Sequence, residues 1–172
     1  HNEEVVRELS EKGVRVLENK EDLKQLKAGE KIPTVIIRAH GVAKEIYDIM
    51  EANGLECIDA TCPFVKRIHR IVEKESREGS HIVIIGNPGH PEVEGIAGWC
   101  SRCRIFDSVE ALEKWVKEEQ VDPNSPICMV SQTTSTESLW KLCRNFAKKQ
   151  FTNLKIFDTI CKATEDRQTE AA

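Results

Sequence analysis

Short runs rich in apolar residues read as strands at residues 14–17, 33–37, 55–58, 81–85, 104–106, 127–130 and 154–157, those at 33–37, 55–58, 81–85, 127–130 and 154–157 as buried ones. Between them apolar residues recur at helical spacing. Val5, Val6 and Leu9 lie in 3–12, Leu23 and Leu26 in 20–27, and Ile46, Ile49 and Met50 in 43–53. Val65, Ile68, Ile71 and Val72 follow in 64–77, and Leu112, Trp115 and Val116 in 109–118. A further helix bears Leu139, Leu142, Cys143 and Phe146, with Thr134 and Glu137 as a capping box. Gly13, Gly29, Gly54 and Gly79 stop the first four helices. Residues 86–95 and 122–126 are rich in turn formers and read as a polar loop and a turn. A last helical start stands at Ala163.

Strands alternating with helices predict α/β architecture with parallel sheets. Ligands in such folds bind where strands hand over to helices. The polar outliers stand at those handovers: His40, Cys62, His90 with Glu92, Gln132 with Thr133, and Cys161. One face therefore collects the candidate chemistry.

Asp59-Ala-Thr-Cys-Pro63 is echoed by Asp158-Thr-Ile-Cys161. Each copy follows an apolar run, breaks at an Asp and delivers a cysteine before a helical pattern. Pro63 fits the first position of a helix, so Cys62 becomes its N-cap, where the dipole favours a thiolate. Thiolates bind soft metals and iron–sulfur clusters. A lone cysteine in such a place would be a small core residue; the repetition argues for a ligand pair. The separation of 99 residues matches a small α/β unit. The organisation expected is part of a first domain over 1–62, a complete second domain over 63–157 and the start of a third over 158–172. With two such ligands visible, a third is expected before His1, in a longer protein of which this chain is a piece.

A hydrophobic share of 40% suffices for a core, and a net charge of −4 with mixed signs supplies no basic field for nucleic acid or membrane surfaces. No apolar run approaches a bilayer span and no secretory signal opens the chain, so a cytoplasmic location is expected. Seven cysteines without secretory context point to metal or redox chemistry rather than a disulfide framework.

His40 and His90 each adjoin a glycine, where ring and backbone can approach a ligand. His69 and His81 read as structural. Glu92, or Glu94 two residues on, is a candidate proton donor, and spacing alone does not separate them. Thr133 is a candidate relay, while Thr134 and Ser135 suit a cap. Cys100-Ser-Arg-Cys103 invites zinc or thiol redox chemistry, but no second pair completes a zinc site and the motif enters a strand rather than a helix. Cys57, Cys128 and Cys143 fall in apolar patterns and are expected in the core.

Taken together, His1-Asn2 with Val5-Val6, Ala39-His-Gly41, Asp59-Ala-Thr-Cys-Pro63, Gly89-His-Pro-Glu-Val-Glu-Gly95, Ser131-Gln-Thr-Thr134, and Ile160-Cys161 with Ala163-Thr164 and Arg167-Gln168 resemble the 4-hydroxy-3-methylbut-2-enyl diphosphate reductase family along the whole chain, in order. The resemblance implies three α/β domains in a pseudo-threefold arrangement around a [4Fe–4S] cluster, each domain giving one cysteine. Cys62 and Cys161 match two ligands. The implied reaction, in bacterial non-mevalonate isoprenoid synthesis, is a two-electron, two-proton reductive dehydration of an allylic alcohol diphosphate. Its products are isopentenyl and dimethylallyl diphosphate. By the same resemblance Glu92 donates the proton and Thr133 relays it beside the substrate hydroxyl. His1 and His40 serve mainly the diphosphate, His90 the proton network, and ferredoxin or flavodoxin supplies electrons. The chain alone is expected to be inactive. Two rival readings are a non-catalytic metal-binding or redox-sensing module, with zinc on the cysteines, and an inert excised domain.

Overall fold

The computed structural model describes residues 3–17, 19–26 and 32–161. His1 and the helical start expected at Ala163 lie outside them, so the expected third domain is described only from Asp158 to Cys161. Two compact units emerge, one of residues 1–35 and 46–58, the other of residues 36–45 and 59–172.

The first unit holds α1 (Glu3–Glu11), α2 (Lys20–Gln25) and most of α3 (Lys44–Ala52). Asn19 caps α2 by accepting from Asp22 N at 2.9 Å. Leu23 and Met50 are its buried anchors. Asn53 Nδ2 donates to the Leu23 and Lys24 carbonyls at 3.4 and 3.3 Å, tying the chain after α3 to the end of α2. The strands β1 (Thr34–Ile37) and β2 (Glu56–Asp59) pair as a two-stranded sheet.

The second unit is built on β3 (His81–Ile85), β4 (Cys103–Phe106), β5 (Ile127–Ser131) and β6 (Leu154–Ile156), in the order β4-β3-β5-β6 and parallel throughout. Its helices are α4 (Pro63–Arg77), α5 (Pro91–Ala97), α6 (Val109–Glu118) and α7 (Glu137–Gln150). The period-two alternation of a strand divides the core. Ile82, Ile84, Cys128 and Val130 meet Ile68 and Val72 of α4 and Val93 and Ile96 of α5. Val83, Ile85, Ile127 and Met129 meet Leu112, Trp115 and Val116 of α6 and Trp140, Cys143 and Ala147 of α7. Because both faces are covered, β3 and β5 can be apolar without interruption.

The connection from β3 runs through α5 to β4, whereas that from β5 runs through α7 to β6 on the opposite side of the strand order. A crevice between the carboxyl ends of β3 and β5 follows from that reversal.

Several expectations are corrected. Residues 14–17 form no strand, and Val14 and Val16 are exposed. The runs at 33–37 and 55–58 do form strands, but Ile36 and Ile58 are 60% and 51% exposed, and Cys57 is exposed rather than core. Among the described residues that sheet has two strands, so an apolar run there lacks the double cover that β3 enjoys. The polar loop expected over 86–95 gives way to α5 from Pro91 onward. Thr136, not Thr134, caps α7, accepting from Leu139 N at 3.3 Å. Leu142 is exposed, and Trp140 takes the core position instead. Among the described residues no helix is long and apolar enough to cross a membrane.

Truncating Ile84, fully buried in the central strand β3, to alanine should cost about 2–5 kcal/mol. The urea midpoint should fall with the slope unchanged. Ile36→Ala, at an exposed position, should stay within roughly 0.5 kcal/mol of the parent.

Candidate functional site

All the residues of the site belong to the second unit. At the crevice, Gln132 N donates to the Ile85 carbonyl at 2.8 Å, and the Gln132 carboxamide accepts from Asn87 N at 3.0 Å and donates to Thr134 Oγ1 at 2.9 Å. One buried amide thus fixes the turns after both strands. Gly86 sits under it, where an added Cβ would lie 2.9 Å from Gln132 Cβ, Gln132 Oε1 and Val93 Cγ2. The absence of a side chain there is what permits that approach.

Pro91 occupies the first turn of α5 and His90 is its N-cap, with Nδ1 accepting from Glu92 N at 3.1 Å. A neutral ring held that way carries its proton on Nε2. The Glu92 carboxylate is 2% exposed and crosses the crevice to Thr133, taking the backbone N–H on Oε1 at 2.6 Å and the hydroxyl on Oε2 at 2.7 Å. Glu94 points outward and is exposed. Geometry therefore separates the two acids that spacing left equivalent.

The cysteine turns arrive by a shared backbone rule. Cys62 N donates to the Ala39 carbonyl at 2.9 Å, and Cys161 N to the Thr133 carbonyl at 2.8 Å. Cys62 is the N-cap of α4, and its side chain makes no capping hydrogen bond. The turn before it is set by Asp59, which accepts from Thr61 N at 3.0 Å and pairs with Lys66 at 2.8 Å. Burial pushes the Asp59 carboxyl up, but the Lys66 ammonium and the Thr61 donors outweigh it and bring the pKa down to about 2.

A pocket of about 180 Å³ is lined by Ala39, His40, Cys62, Phe64, Val65, Glu92, Thr133, Thr134 and Cys161. Five of the residues singled out in the sequence thus meet at one cavity. His90 stands beside it, its ring 5.6 Å from that of His40 in an edge-on arrangement. Both pocket cysteines are half-buried and neither is in a disulfide. Among the described residues no group of three or more His, Cys, Asp or Glu side chains is placed to hold a metal ion. Two soft thiol donors facing one cavity fit two corners of an iron–sulfur cluster rather than a complete cage.

The support of His40 was not legible in the sequence. Gly41 has φ +71°, and a Cβ there would lie 2.6 Å from His69 Cε1. The His69 ring stacks on Trp99, centroids 5.0 Å apart, and Trp99 Nε1 donates to the Val42 carbonyl at 2.9 Å. His69 is 3% exposed and its Nε2 has no hydrogen-bond partner. Burial holds its pKa down at about 4, Asp59 pulling against the shift and Lys66 adding to it.

Comparison with known proteins gives the following. The family model described as "LytB protein" matches residues 1–172. The 4-hydroxy-3-methylbut-2-enyl diphosphate reductase of Caldanaerobacter subterraneus subsp. tengcongensis is 44% identical over 172 residues, covering 99% of this chain and 56% of that protein. A solved structure of (E)-4-hydroxy-3-methyl-but-2-enyl diphosphate reductase, described as the terminal enzyme of the non-mevalonate pathway, matches with a TM-score of 0.70 and 30% identity, over 90% of this chain and 58% of that one. That of E-1-hydroxy-2-methyl-but-2-enyl-4-diphosphate reductase from Plasmodium falciparum matches with a TM-score of 0.80 and 29% identity, over 98% and 51%. The chain spans about half the length of these relatives.

His69 links the site to pH. Its folded pKa of about 4 lies below the ordinary 6.5, so the unfolded chain binds the proton more readily and stability falls as pH drops between those values. The loss should reach roughly 3 kcal/mol near pH 4. Asp59 adds a further loss only between 3.8 and about 2. Urea unfolding of His69→Phe, which keeps a ring against Trp99, should show the first loss reduced to the part left by His81, whose pKa burial also lowers, and the second retained; an unchanged acid profile would clear His69 of the effect.

Proposed function

Because the chain belongs to the LytB protein family, we propose that it is the part of a 4-hydroxy-3-methylbut-2-enyl diphosphate reductase that carries the proton-donating acid and two ligands of a [4Fe–4S] cluster. The observation behind this reading is the Glu92–Thr133 pair at a pocket that also presents His40, Cys62 and Cys161. The domain plan that goes with it is part of one α/β domain to residue 62, a second to 157 and the beginning of a third.

Reductive removal of an allylic hydroxyl takes two electrons and two protons and releases water. Cys62 and Cys161 would hold the cluster, which when bound supplies electrons and a Lewis-acidic iron for the leaving hydroxyl. A small carrier such as ferredoxin or flavodoxin would supply those electrons.

Glu92 and Thr133 handle the proton that leaves with the hydroxyl as water; the second ends on an allylic carbon. A proton on Glu92 Oε2 passes to Thr133 Oγ1 along their 2.7 Å contact while the threonine's own proton moves to the leaving hydroxyl. The carboxylate left behind keeps the Thr133 N–H on Oε1, a charge-assisted bond that stabilises it in a dry setting. His90 holds the start of α5 through Nδ1 and keeps Nε2–H free to donate toward the same network. His40, exposed on its glycine turn at the pocket, suits an anionic diphosphate; His1, assigned the same task, lies outside the described residues.

In the full-length protein purified without oxygen, the broad brown absorbance of an iron–sulfur centre should be present and should disappear in Cys62→Ser. Glu92→Gln should keep the absorbance and lose about 10²–10⁴-fold in turnover. A colourless protein carrying zinc without iron or sulfide would favour a non-catalytic metal-binding module. Undiminished turnover in Glu92→Gln would remove that residue from its role.

A further inference from the structure

The proposed reaction leaves Cys100-Ser101-Arg102-Cys103 unused. This segment joins the end of α5 to β4, an edge strand of the sheet, and neither thiol lines the pocket. Both cysteines are half-buried and pack against the same apolar cluster, that of Ile68, Val72, Ile82 and Ile84. The loop between them is pinned on both sides. Ser101 N donates to Ser76 Oγ at 3.0 Å, the two serine hydroxyls lie 3.1 Å apart, and the Arg102 carbonyl accepts from Ile82 N at 3.0 Å. The two thiols stand near enough to influence each other's ionisation, and the Cys100 S–H donates to the Ala97 carbonyl at 3.4 Å.

We propose that Cys100 and Cys103 are a thiol–disulfide exchange site that closes reversibly to an intrachain disulfide when it meets a disulfide oxidant, either a small-molecule disulfide or an exposed disulfide on another protein. Cys103 attacks first as the thiolate. It forms a mixed disulfide and releases one half of the oxidant as a thiol. Cys100 then gives up its proton to the medium and attacks Cys103 Sγ, closing the bond and releasing the other half. The protein's two thiols lose two electrons and two protons, which leave as the oxidant's two thiols.

The chemistry of the pair divides the labour in that way. The neighbouring Cys100 thiol, whose own S–H is held on the Ala97 carbonyl, draws the Cys103 thiol down against the push of burial, with Arg104 of β4 helping and Glu94 of α5 opposing. The Cys103 sulfur beside it, burial and Cys128 of β5 hold Cys100 up as the thiol. By contrast, burial pushes Cys128 up to about 12 and Cys143 up to about 11, so neither competes as a nucleophile. The proposal does not depend on the reductase reading.

The test takes the full-length protein through buffers of graded oxidised-to-reduced glutathione, quenches it with acid, alkylates the remaining thiols under denaturing conditions and maps the peptides by mass. The peptide holding Cys100 and Cys103 should lose two hydrogens and both alkylation sites together, while Cys128 and Cys143 stay alkylatable. In Cys100→Ala, Cys103 should stop at the mixed disulfide with glutathione, and its alkylation in the native protein near neutral pH should slow several-fold. Cys100→Ser, the closer isostere, repeats the mixed-disulfide readout should the alanine variant fold poorly. Both thiols remaining alkylatable in the most oxidised buffer, or a wild-type protein that stops at the mixed disulfide, overturns the proposal.

Discussion

A carboxylate buried as deeply as that of Glu92 is costly unless donors meet it, and Thr133 supplies two from a single residue. That arrangement constrains the rest of the unit. β3 and β5 pair with Ile85 beside Ser131, and a slip of one residue would turn the apolar residues of β5 to the wrong faces and carry the turn bearing Thr133 along the strand, away from Glu92. Gly86 must lack a side chain so that Gln132 can pass over it. The helix after β3 must start at Pro91 so that its first turn presents Glu92 to the crevice. The reversal of connections between β3 and β5 opens the space, and the carboxylate–threonine pair occupies its floor.

The two cysteine turns show how a repeat can persist in the backbone while its side chains diverge. Ala39 and Thr133 each stand two residues beyond the end of a strand, and each carbonyl receives the N–H of the cysteine that follows the neighbouring strand. The stabilising side chains differ. In the first copy Asp59 holds Thr61 N and Lys66. In the second Thr159 takes over, its Oγ1 donating to the Ser131 carbonyl at 2.7 Å and accepting from Ser131 N at 2.8 Å. The shared Asp of the sequence echo is thus not the shared structural element. The common feature is the backbone bond itself, from the cysteine N–H to a carbonyl two residues past the end of the neighbouring strand.

The covered sheet was legible in the sequence because β3 and β5 are apolar throughout and their neighbours carry helical periodicity. The pocket was legible because its polar residues interrupt that pattern at strand ends: Cys62, Glu92, Thr133 and Cys161 all stand there. What escaped has physical reasons. α5 is only seven residues long, starts after a run of turn formers and contains Gly95, so local propensity argues against it while packing of Val93 and Ile96 makes it. Residues 14–17 show β-branched composition without a strand to pair with. Cys57 follows an apolar pattern on a strand whose exposed side stays open. The tie of Trp99 to Val42 joins residues 57 apart in sequence, and no local pattern encodes such a contact.

Those same long-range ties make α5 a strut. Its first turn holds Glu92 and the His90 cap, while Gly98 at its end admits the turn that follows His40: a Cβ on Gly98 would lie 2.7 Å from Ala43 Cα. Lys44 N donates to the Gly98 carbonyl at 3.4 Å, and Trp99 secures Val42. The His69 ring closes the other side of Gly41, held in place by its stack on Trp99. The acid and the turn that follows the exposed histidine of the pocket are therefore both fixed on one short helix. Packing within the protein fixes the backbone under both side chains, which lowers the ordering cost of a ligand that contacts them.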